Sequence, residues 1–289
     1  MKRILKIVLP ALLISLSLPG QDDRAGVLRA EVAFLADSLQ TGRACGTAGA
    51  QSVTFYLLRE LRNAGLRTTV QSFPAGEKAG HNVVAVTPGW FRSYLVVSAY
   101  FDGLGTLDGT LYPGADANAS GVAALLALAR TLPADCTGDT GLIFVAFDGH
   151  HTDLSGAKAF LDRFRGKYPL AGVINLDQIG STLAPVHSGR PDYLIALGGN
   201  AFRAGLEAAN RLPRLDLSFD YYGSASFTEL FYRRIGDQRW FLEAGIPAVM
   251  FTSGITMNTN KPADTAATLD YAVLSRRLTL IETWLRSRL

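Results

Sequence analysis

The sequence predicts an α/β layered fold, and three observations lead to that prediction. Helix-like and strand-like segments alternate along most of the chain, as they do in layered α/β proteins. The run over residues 94–101 is apolar on both faces, which is typical of a central strand covered by helices on either side. Of the 289 residues, 48% are hydrophobic and 18% charged, which suits a compact core. Because no repeat or Pro/Ser-rich linker divides the chain, we expect one domain over residues 21–289.

The first predicted elements are two helices and three strands. Apolar residues at helical spacing predict helices over 25–39 and 52–64. Gly65 follows the second helix and supplies a common helix stop. Alternating or apolar runs rich in β-branched and aromatic residues predict strands over 68–73, 81–87 and 94–101.

From residue 102 onward, helices and strands alternate more regularly. Helical spacing predicts helices over 120–132, 155–164, 201–210 and 269–285. Short apolar runs predict buried strands over 142–147, 173–176, 193–197 and 248–252. The order is that of a sheet with helices packed on its faces.

Residues 1–20 have the layout of a secretory signal peptide. Three basic residues within the first six positions precede an apolar run from Ile7 to Leu18, and Pro19-Gly20 follows. Because a membrane span needs about 20 apolar residues, this run is short for one. We expect cleavage near Gly20, export to the periplasm or the extracellular space, and no membrane span after cleavage. An uncleaved anchor is the alternative.

The remaining chain is electrically neutral and poor in cysteine. Residues 21–289 carry 25 basic and 25 acidic side chains, with no run of Lys or Arg. Such a surface offers no basic patch that would bind nucleic acid or an anionic membrane, so we expect neither as a partner. Cys45 and Cys136 allow one disulfide without requiring it.

Acidic residues stand where ligands gather in open α/β sheets, at the carboxyl ends of strands. Asp102, Asp148 and Asp177 each come directly after a predicted strand, and Asp116 lies just before a predicted helix. An acid at the end of a buried strand costs desolvation free energy unless it is paired or coordinated, which favours Asp102 and Asp177 as site residues. Asp116 is equally explained as a helix cap, and Asp148 as a turn residue.

Two adjacent histidines, His150 and His151, would lie at the same edge of the sheet. Such pairs are most often solvated loop residues, but the neighbouring acids favour a role in the site. His81 and His187 lack an acidic sequence context, and we predict ordinary surface or capping roles for them. The motifs of serine hydrolases, nucleotide-binding proteins and zinc fingers do not occur, so the sequence gives those classes no support.

Seven short blocks follow one another in an order typical of one known family. They are Gly42-Arg43 with Gly46-Thr47, the segment 96–102, the segment 113–124, the segment 144–149, the segment 174–180, the segment 243–248 and the segment 262–265. In these blocks the sequence resembles the secreted co-catalytic zinc exopeptidases, which include bacterial leucyl aminopeptidases and have glutaminyl cyclases as relatives. The resemblance implies a three-layer α/β/α sandwich with a mixed, mostly parallel sheet. It also implies two zinc ions bridged by one aspartate, and a glutamate base that serves in removing N-terminal residues from peptides.

When the metal-site positions of the family are carried over one by one to this sequence, some of them keep the family's residue. The bridging aspartate falls on Asp116, and a further aspartate ligand falls on Asp177. The first histidine ligand falls on Tyr100, whereas the aspartate that orients it remains as Asp102. The acid that follows the bridging aspartate is replaced by Ala117.

The remaining catalytic positions are altered. The glutamate base and the adjacent glutamate ligand fall on His150 and His151, and the last histidine ligand falls on Asn260. The resemblance thus puts His150 and Asp102 in catalytic positions, and leaves Asp116, His151 and Asp177 as possible metal ligands. A neutral tyrosine and an asparagine amide are poor zinc ligands, so we expect no high-affinity cofactor.

Two functions are compatible with these residues. The favoured one is a catalytically impaired pseudo-peptidase that binds a peptide or small-molecule ligand in the former active-site cleft. The alternative is an active metallo-exopeptidase with a remodelled site, in which one zinc is held by Asp116, His151 and Asp177. A structural partner in a surface complex is a third, weaker hypothesis for which the sequence offers nothing specific.

Overall fold

A computed structural model describes residues 21–289. The predicted signal peptide, residues 1–20, lies outside the described residues. Within residues 21–289, no helix combines the length and the apolar character that crossing a bilayer requires. The thiols of Cys45 and Cys136 are both free.

Eight strands form a central mixed sheet, and two short strands form a separate hairpin. The first six are β1 (Arg67–Ala75), β2 (Lys78–Val86), β3 (Ser93–Tyr100), β4 (Gly105–Leu107), β5 (Thr110–Tyr112) and β6 (Thr140–Phe147). The others are β7 (Leu170–Leu176), β8 (Tyr193–Leu197), β9 (Asp216–Ser218) and β10 (Ala248–Thr252). The hairpin consists of β4 and β5.

The order of the sheet is β1-β2-β6-β3-β7-β10-β8-β9. Strands β6, β3, β7 and β10 run parallel to one another, while β2 is antiparallel to β6 and β8 is antiparallel to β10. The prediction that 94–101 lies mid-sheet is confirmed, because β3 pairs with β6 on one side and β7 on the other. The mixed, mostly parallel sheet is also confirmed.

Helices cover both faces of the sheet. They are α1 (Gln21–Leu35), α2 (Ala48–Asn63), α3 (Gly121–Thr131), α4 (Ser155–Phe164), α5 (Arg203–Ala209), α6 (Ala225–Leu230), α7 (Gln238–Glu243) and α8 (Tyr271–Arg286). Helices α1, α2, α3, α5 and α8 share one apolar core with the sheet, and α4 and α7 share a second core on the opposite face. This is the three-layer sandwich that the resemblance implied.

The alternation of buried side chains explains the two cores. In β3, Val97 and Ala99 face the core of α3 and α8, whereas Val96 and Tyr100 face that of α4 and α7. Successive side chains of a strand point to opposite faces, so a strand covered on both sides is largely apolar on both.

Some boundaries differ from the prediction for local reasons. The first helix ends at Leu35 rather than at residue 39, because Asp37 caps a separate turn over Ser38–Arg43 by accepting the Leu39 backbone N–H at 2.8 Å. Helix α2 begins four residues before the predicted start, where the Thr47 side chain accepts the Ala50 N–H. The short elements β4, β5, β9, α6 and α7 are not predicted from periodicity, since three to six residues carry too little of it.

The parallel strands bring their carboxyl ends to one edge. Tyr100 ends β3, Phe147 ends β6 and Leu176 ends β7, and the candidate residues follow directly. This edge is where the site is built.

Candidate functional site

The charges of four carboxylates act on Tyr100 at this edge. Burial is the main cause that raises the pKa of Tyr100 well above its ordinary value, and the charges of Asp177, Asp102, Asp237 and Asp116 add to it. Tyr100 is 1% exposed. Asp102, Asp116 and Asp177 thus lie at the same edge of the sheet, close enough for their charges to act on Tyr100.

Asp116 lies in the segment before α3, and hydrogen bonds fix its side chain. Its Oδ1 accepts hydrogen bonds from the backbone N–H of Gly180 at 2.7 Å and of Ser181 at 3.1 Å, and from the Ser120 hydroxyl at 3.1 Å. Its Oδ2 is buried and has no hydrogen-bond partner among residues 21–289. Burial, followed by the charge of Asp264, raises the pKa of Asp116 to about 6. The carboxylate thus bonds to the loop after β7 rather than capping α3.

Asp264 fixes the backbone of the segment before α3. Its two carboxylate oxygens accept the N–H groups of Asp116 at 2.8 Å and Ala117 at 3.0 Å. Gly114 precedes this turn at φ +60, where an added Cβ would lie 2.6 Å from the Ala117 carbonyl oxygen. Glycine is therefore required at position 114 both for its backbone conformation and for space.

Asp102 fixes the two histidines through their backbone. Its Oδ1 accepts the His150 N–H at 2.9 Å, and its Oδ2 accepts the His151 N–H at 3.2 Å. Burial and the charge of Asp148 raise the pKa of Asp102 to about 7 against the lowering effect of His150. Asp102 is therefore a residue that positions the 150–151 segment.

The ring of His150 is fixed on two sides. It stacks on Tyr100 with centroids 3.7 Å apart and planes 12° apart, and its Nδ1 lies 2.8 Å from Asp237 Oδ2. Burial lowers the pKa of His150, but the charge and hydrogen bond of Asp237, aided by Asp177 and Asp102, outweigh it and raise this pKa to about 9. The contact with Asp237 therefore favours the imidazolium form of His150.

His151 has the opposite electrostatic character. Its ring lies edge-on to that of Tyr100, with centroids 5.8 Å apart. Burial, His150 and Arg43 lower its pKa to about 3, so it is a neutral imidazole. A neutral imidazole is the form that binds metal ions.

Asp177 and Asn260 line a small cavity with both histidines. Its volume is about 160 Å³, and Tyr100, Tyr221 and Phe231 supply aromatic walls. Burial raises the pKa of Asp177 to about 6, against the lowering effects of His150 and of the Tyr100 and Gln178 side chains. Asn260 adopts φ +57, a left-handed conformation that asparagine tolerates better than most residues.

The other acid and histidine candidates lie outside this group. Asp148 accepts the backbone N–H groups of His81 at 2.9 Å and Gly149 at 2.8 Å, which matches its interpretation as a turn residue. The His81 ring meets the Ser72 hydroxyl at the surface, and the exposed His187 pairs with Asp216 at 2.8 Å.

Two buried arginines support the loops of the site. Arg43 donates to the carbonyl oxygens of Leu35, Phe101, Pro113 and Gly114. Arg277 donates to those of Ile179, Ser181 and Tyr193. Burial lowers the pKa of Arg43 to about 10, against the opposing charges of Asp264 and Asp102.

Sequence reasoning did not find Asp237 as a site residue. Asp237 lies just before α7, in a stretch without a clear periodicity, and only the fold brings it to His150. Asp264 stood in the last family block, but its role in holding Asp116 was not assigned. Arg43 stood in the first block, but its burial was not predicted, because a charged residue next to a glycine is ordinarily exposed.

The zinc pair that the resemblance implies does not fit the residues present. Asp116 Oδ2 is free to ligate, and His151 has the right protonation state. However, the phenol and amide of Tyr100 and Asn260 are poor ligands, and His150 is bonded to Asp237. Throughout residues 21–289, no three side chains of His, Cys, Asp or Glu converge to hold a metal ion.

Comparisons with known proteins agree with the fold. The sequence profile of Peptidase family M28 matches residues 82–285. A zinc aminopeptidase from Bacillus subtilis superposes with a TM-score of 0.74 at 14% identity, covering 92% of this chain and 95% of that one. The glutaminyl cyclase of Porphyromonas gingivalis has a TM-score of 0.74 at 18% identity, covering 92% and 98%.

Similar sequences cover only part of this chain. A probable zinc metalloprotease of Phaeosphaeria nodorum is 33% identical over 157 residues, which are 46% of this chain and 31% of that protein. Leupeptin-inactivating enzyme 1 of Streptomyces exfoliatus is 30% identical over 143 residues, which are 48% and 32%. The chain thus spans about a third of the length of these relatives.

Proposed function

The chain belongs to Peptidase family M28, and on that premise we propose that it is an exported, peptidase-like protein that binds a peptide or small ligand without zinc-dependent hydrolysis. A cavity with aromatic walls lies at the carboxyl edge of the sheet, and the buried Asp177 is part of its lining. What has changed is the chemistry of the residues that would hold metal and activate water.

The observation that carries the proposal is the stack of Tyr100 on His150. One of these positions would hold a zinc ligand in the family, and the other would hold the general base. Here the two rings face each other with centroids 3.7 Å apart. The Nδ1 atom of His150 is hydrogen-bonded to the carboxylate of Asp237. Both groups are therefore engaged with protein neighbours.

The chemical consequence is a large loss of hydrolytic power. Zinc lowers the pKa of a bound water from 15.7 to about 7, so that hydroxide forms at neutral pH. A positioned general base contributes typically about 10² to 10⁴ in rate. Asp237 raises the pKa of His150 and so favours its imidazolium form, which cannot accept a proton from water. The residues of the cleft then bind and orient a ligand but do not hydrolyse it.

One observation favours a second candidate, an active exopeptidase with a single metal ion. The Oδ2 atom of Asp116 is buried without a partner, which costs free energy unless something absent from the chain satisfies it. His151 and Asp177 lie in the same site. In this alternative, Asp116, His151 and Asp177 would hold zinc, which would polarise the peptide carbonyl.

Metal content and turnover on the same samples separate the two candidates. We expect protein purified without a His tag to contain far less than one zinc per chain, and we expect added zinc to change its melting temperature little. We also expect no turnover of an aminoacyl chromogenic substrate. The Asp116→Ala variant serves as the matched control for both measurements.

Stoichiometric zinc that is lost in Asp116→Ala would contradict the proposal. So would turnover near 1 per second, an ordinary enzyme rate, that the same substitution abolishes. Both results together would establish the metallo-exopeptidase alternative.

A further inference from the structure

A second cavity opens at the opposite edge of the sheet, where the parallel strands β3, β7 and β10 begin. Its volume is about 240 Å³, and its strand residues include Leu95, Gly172 and Val249. Phe202, from the turn before α5, and Trp284, near the end of α8, also line it. The site described above lies beyond the other ends of these strands, so the proposed function does not involve this cavity.

Gly172 leaves part of this space empty. It lies two residues before Ile174, which belongs to the core of α3 and α8, so both positions face that core. A Cβ added at Gly172 would lie 3.3 Å from the Pro247 carbonyl oxygen and 3.5 Å from Leu95 Cδ2, which are both lining residues. The φ angle of Gly172 is not positive, so its backbone does not require glycine.

The cavity is apolar inside and charged at its mouth. Ile174 and Val249 are each 2% exposed and form its inner part, whereas Ala171, Pro247 and Arg288 are exposed at its opening. The guanidinium carbon of Arg288 lies 4.8 Å from the ring centroid of Phe202 and 5.6 Å from that of Trp284. An apolar interior with a cation at the opening suits a ligand that has an apolar chain and an anionic head.

The charge of Arg288 is not compensated by the protein. Its neighbour Arg286 pairs with both Asp135 and Glu282 at 2.9 Å. Arg288, by contrast, forms no ion pair with a carboxylate of residues 23–289. A guanidinium presents its donors in a planar fork that matches a carboxylate, so this group can hold an external one.

The lining also contains a buried donor that lacks an acceptor. Trp284 is 3% exposed, and its Nε1 has no hydrogen-bond partner in the described part of the chain. The nearby carbonyl oxygen of Pro247 already accepts the Val173 N–H at 2.9 Å. Because a buried donor without an acceptor costs free energy, the excess of donors favours a ligand that supplies acceptor oxygens.

We propose that this cavity binds a free aliphatic carboxylate of about eight carbon atoms, with its chain inside and its carboxylate at Arg288. An apolar cavity of about 150 Å³ holds one benzene molecule, so a volume of about 240 Å³ accommodates a chain of roughly eight carbons. A carboxylate at the open mouth stays partly hydrated and avoids the cost of full burial.

Calorimetric titration with matched probes tests the charge requirement. The probes are octanoate, the neutral octan-1-ol and the cationic octylamine, which share one chain length. We expect octanoate to bind about tenfold more tightly than octan-1-ol, because a charge-assisted hydrogen bond is about twice as strong as a neutral one. Octylamine should bind most weakly, since its charge has the same sign as that of Arg288.

The length of the chain tests whether the site is enclosed. From butanoate to octanoate, each added methylene should tighten binding about fourfold, as expected for a methylene removed from water. Dodecanoate should bind no more tightly than octanoate, because the cavity is then full. A gain per methylene that continues unchanged to dodecanoate would contradict an enclosed site.

Two variants locate the site. Arg288→Gln removes the charge at an exposed position, so it should weaken octanoate binding about tenfold and leave octan-1-ol binding unchanged. Arg59→Gln, on the exposed surface of α2, is the control and should change neither. Gly172→Val fills the cavity with a residue that suits a strand, and should abolish the binding of both probes. Circular dichroism establishes whether each variant is folded.

Octanoate binding that is absent, equal to that of octan-1-ol, or unchanged in Arg288→Gln would overturn the inference. So would octanoate binding that persists in a folded Gly172→Val variant. If Gly172→Val does not fold, the exposed Arg288→Gln still decides. None of these measurements depends on zinc content or turnover, so the inference and the proposed function can fail separately.

Discussion

The Nδ1 atom of His150 lies 2.8 Å from the Oδ2 atom of Asp237, a residue 87 positions later in the chain. His150 is 14% exposed at its side chain, and Asp237 is fully buried. The resemblance puts the family's general base at position 150, and here the Asp237 carboxylate holds the ring of the histidine at that position. This relationship can be tested directly.

The first prediction concerns the protonation of His150. Asp237 supplies the largest of the effects that raise the His150 pKa to about 9. We expect Asp237→Asn to lower this pKa toward its ordinary value near 6.5 or below, since burial then acts with less opposition. NMR titration of the histidine ring protons measures it.

Asp216→Asn is the matched control for this titration. Asp216 also lies 2.8 Å from a histidine, His187, but that histidine is exposed at the surface. The control should leave the titration of His150 unchanged. An identical His150 titration in wild type and Asp237→Asn would show that the pair is not formed.

The second prediction concerns stability between about pH 6.5 and 9. The folded pKa of His150, about 9, exceeds its ordinary value, so its stabilisation is complete below about pH 6.5 and is lost as pH rises through 9. The pKa of Asp102, raised to about 7, lowers stability as pH rises from about 4 to 7, so it adds only at the lower end of this window. Urea denaturation should therefore give a midpoint that falls across this window.

The same denaturation series in Asp237→Asn should show a flatter pH dependence. Below pH 6.5 the trend is opposed by His151, whose lowered pKa makes stability rise with pH. A wild-type midpoint that is constant or rises from pH 6.5 to 9 would contradict the assignment of His150.

The third prediction concerns Asp264, which holds the loop of Asp116. Asp264→Ala leaves the buried N–H groups of Asp116 and Ala117 without acceptors. Because each unsatisfied group costs about 1–3 kcal/mol, we expect a loss of roughly 2–6 kcal/mol in the free energy of unfolding. Asp264→Asn keeps one acceptor and should cost less.

The exposed Asp139→Ala is the control, with an effect within about 0.5 kcal/mol. Equal effects of Asp264→Ala and Asp139→Ala would show that the two bonds do not matter.

The fourth prediction concerns restoration of the metal site. The set Tyr100→His, Ala117→Asp, His150→Glu, His151→Glu and Asn260→His, introduced together, should recover zinc binding, whereas single substitutions should not. The groups of a site act as a unit, and one added ligand without its partners only buries a charge. Zinc per chain and hydrolysis of an aminoacyl substrate are measured on the same samples. Zinc should return more readily than turnover, because the surrounding hydrogen bonds also matter. Full zinc binding after one substitution would argue against this cooperativity.

The fifth prediction concerns export. The charged start and short apolar run of residues 1–20 predict cleavage near Gly20. Mass spectrometry of protein from native cells should find a mature start between about Gly20 and Asp23. An intact Met1 on a membrane-bound form would mean that the segment is an anchor.

The sequence by itself determined the layered architecture and the position of the site. Periodicity is a local property, so helix α4 and strands β8 and β10 match their predicted bounds. The run of β3, largely apolar on both faces, identified the middle of the sheet, because a strand covered on both sides buries nearly all of its side chains. The acids after strands identified the edge where ligands gather.

The tertiary structure alone decided which partner each polar group takes. Asp102 bonds to the backbone of the histidines, Asp264 bonds to the backbone at Asp116, and Asp237 bonds to the ring of His150. These pairs join residues 48 to 148 positions apart, and no local pattern encodes such distances. The protonation state of His150 depends in turn on its neighbours, since burial and nearby charges act through space rather than along the chain.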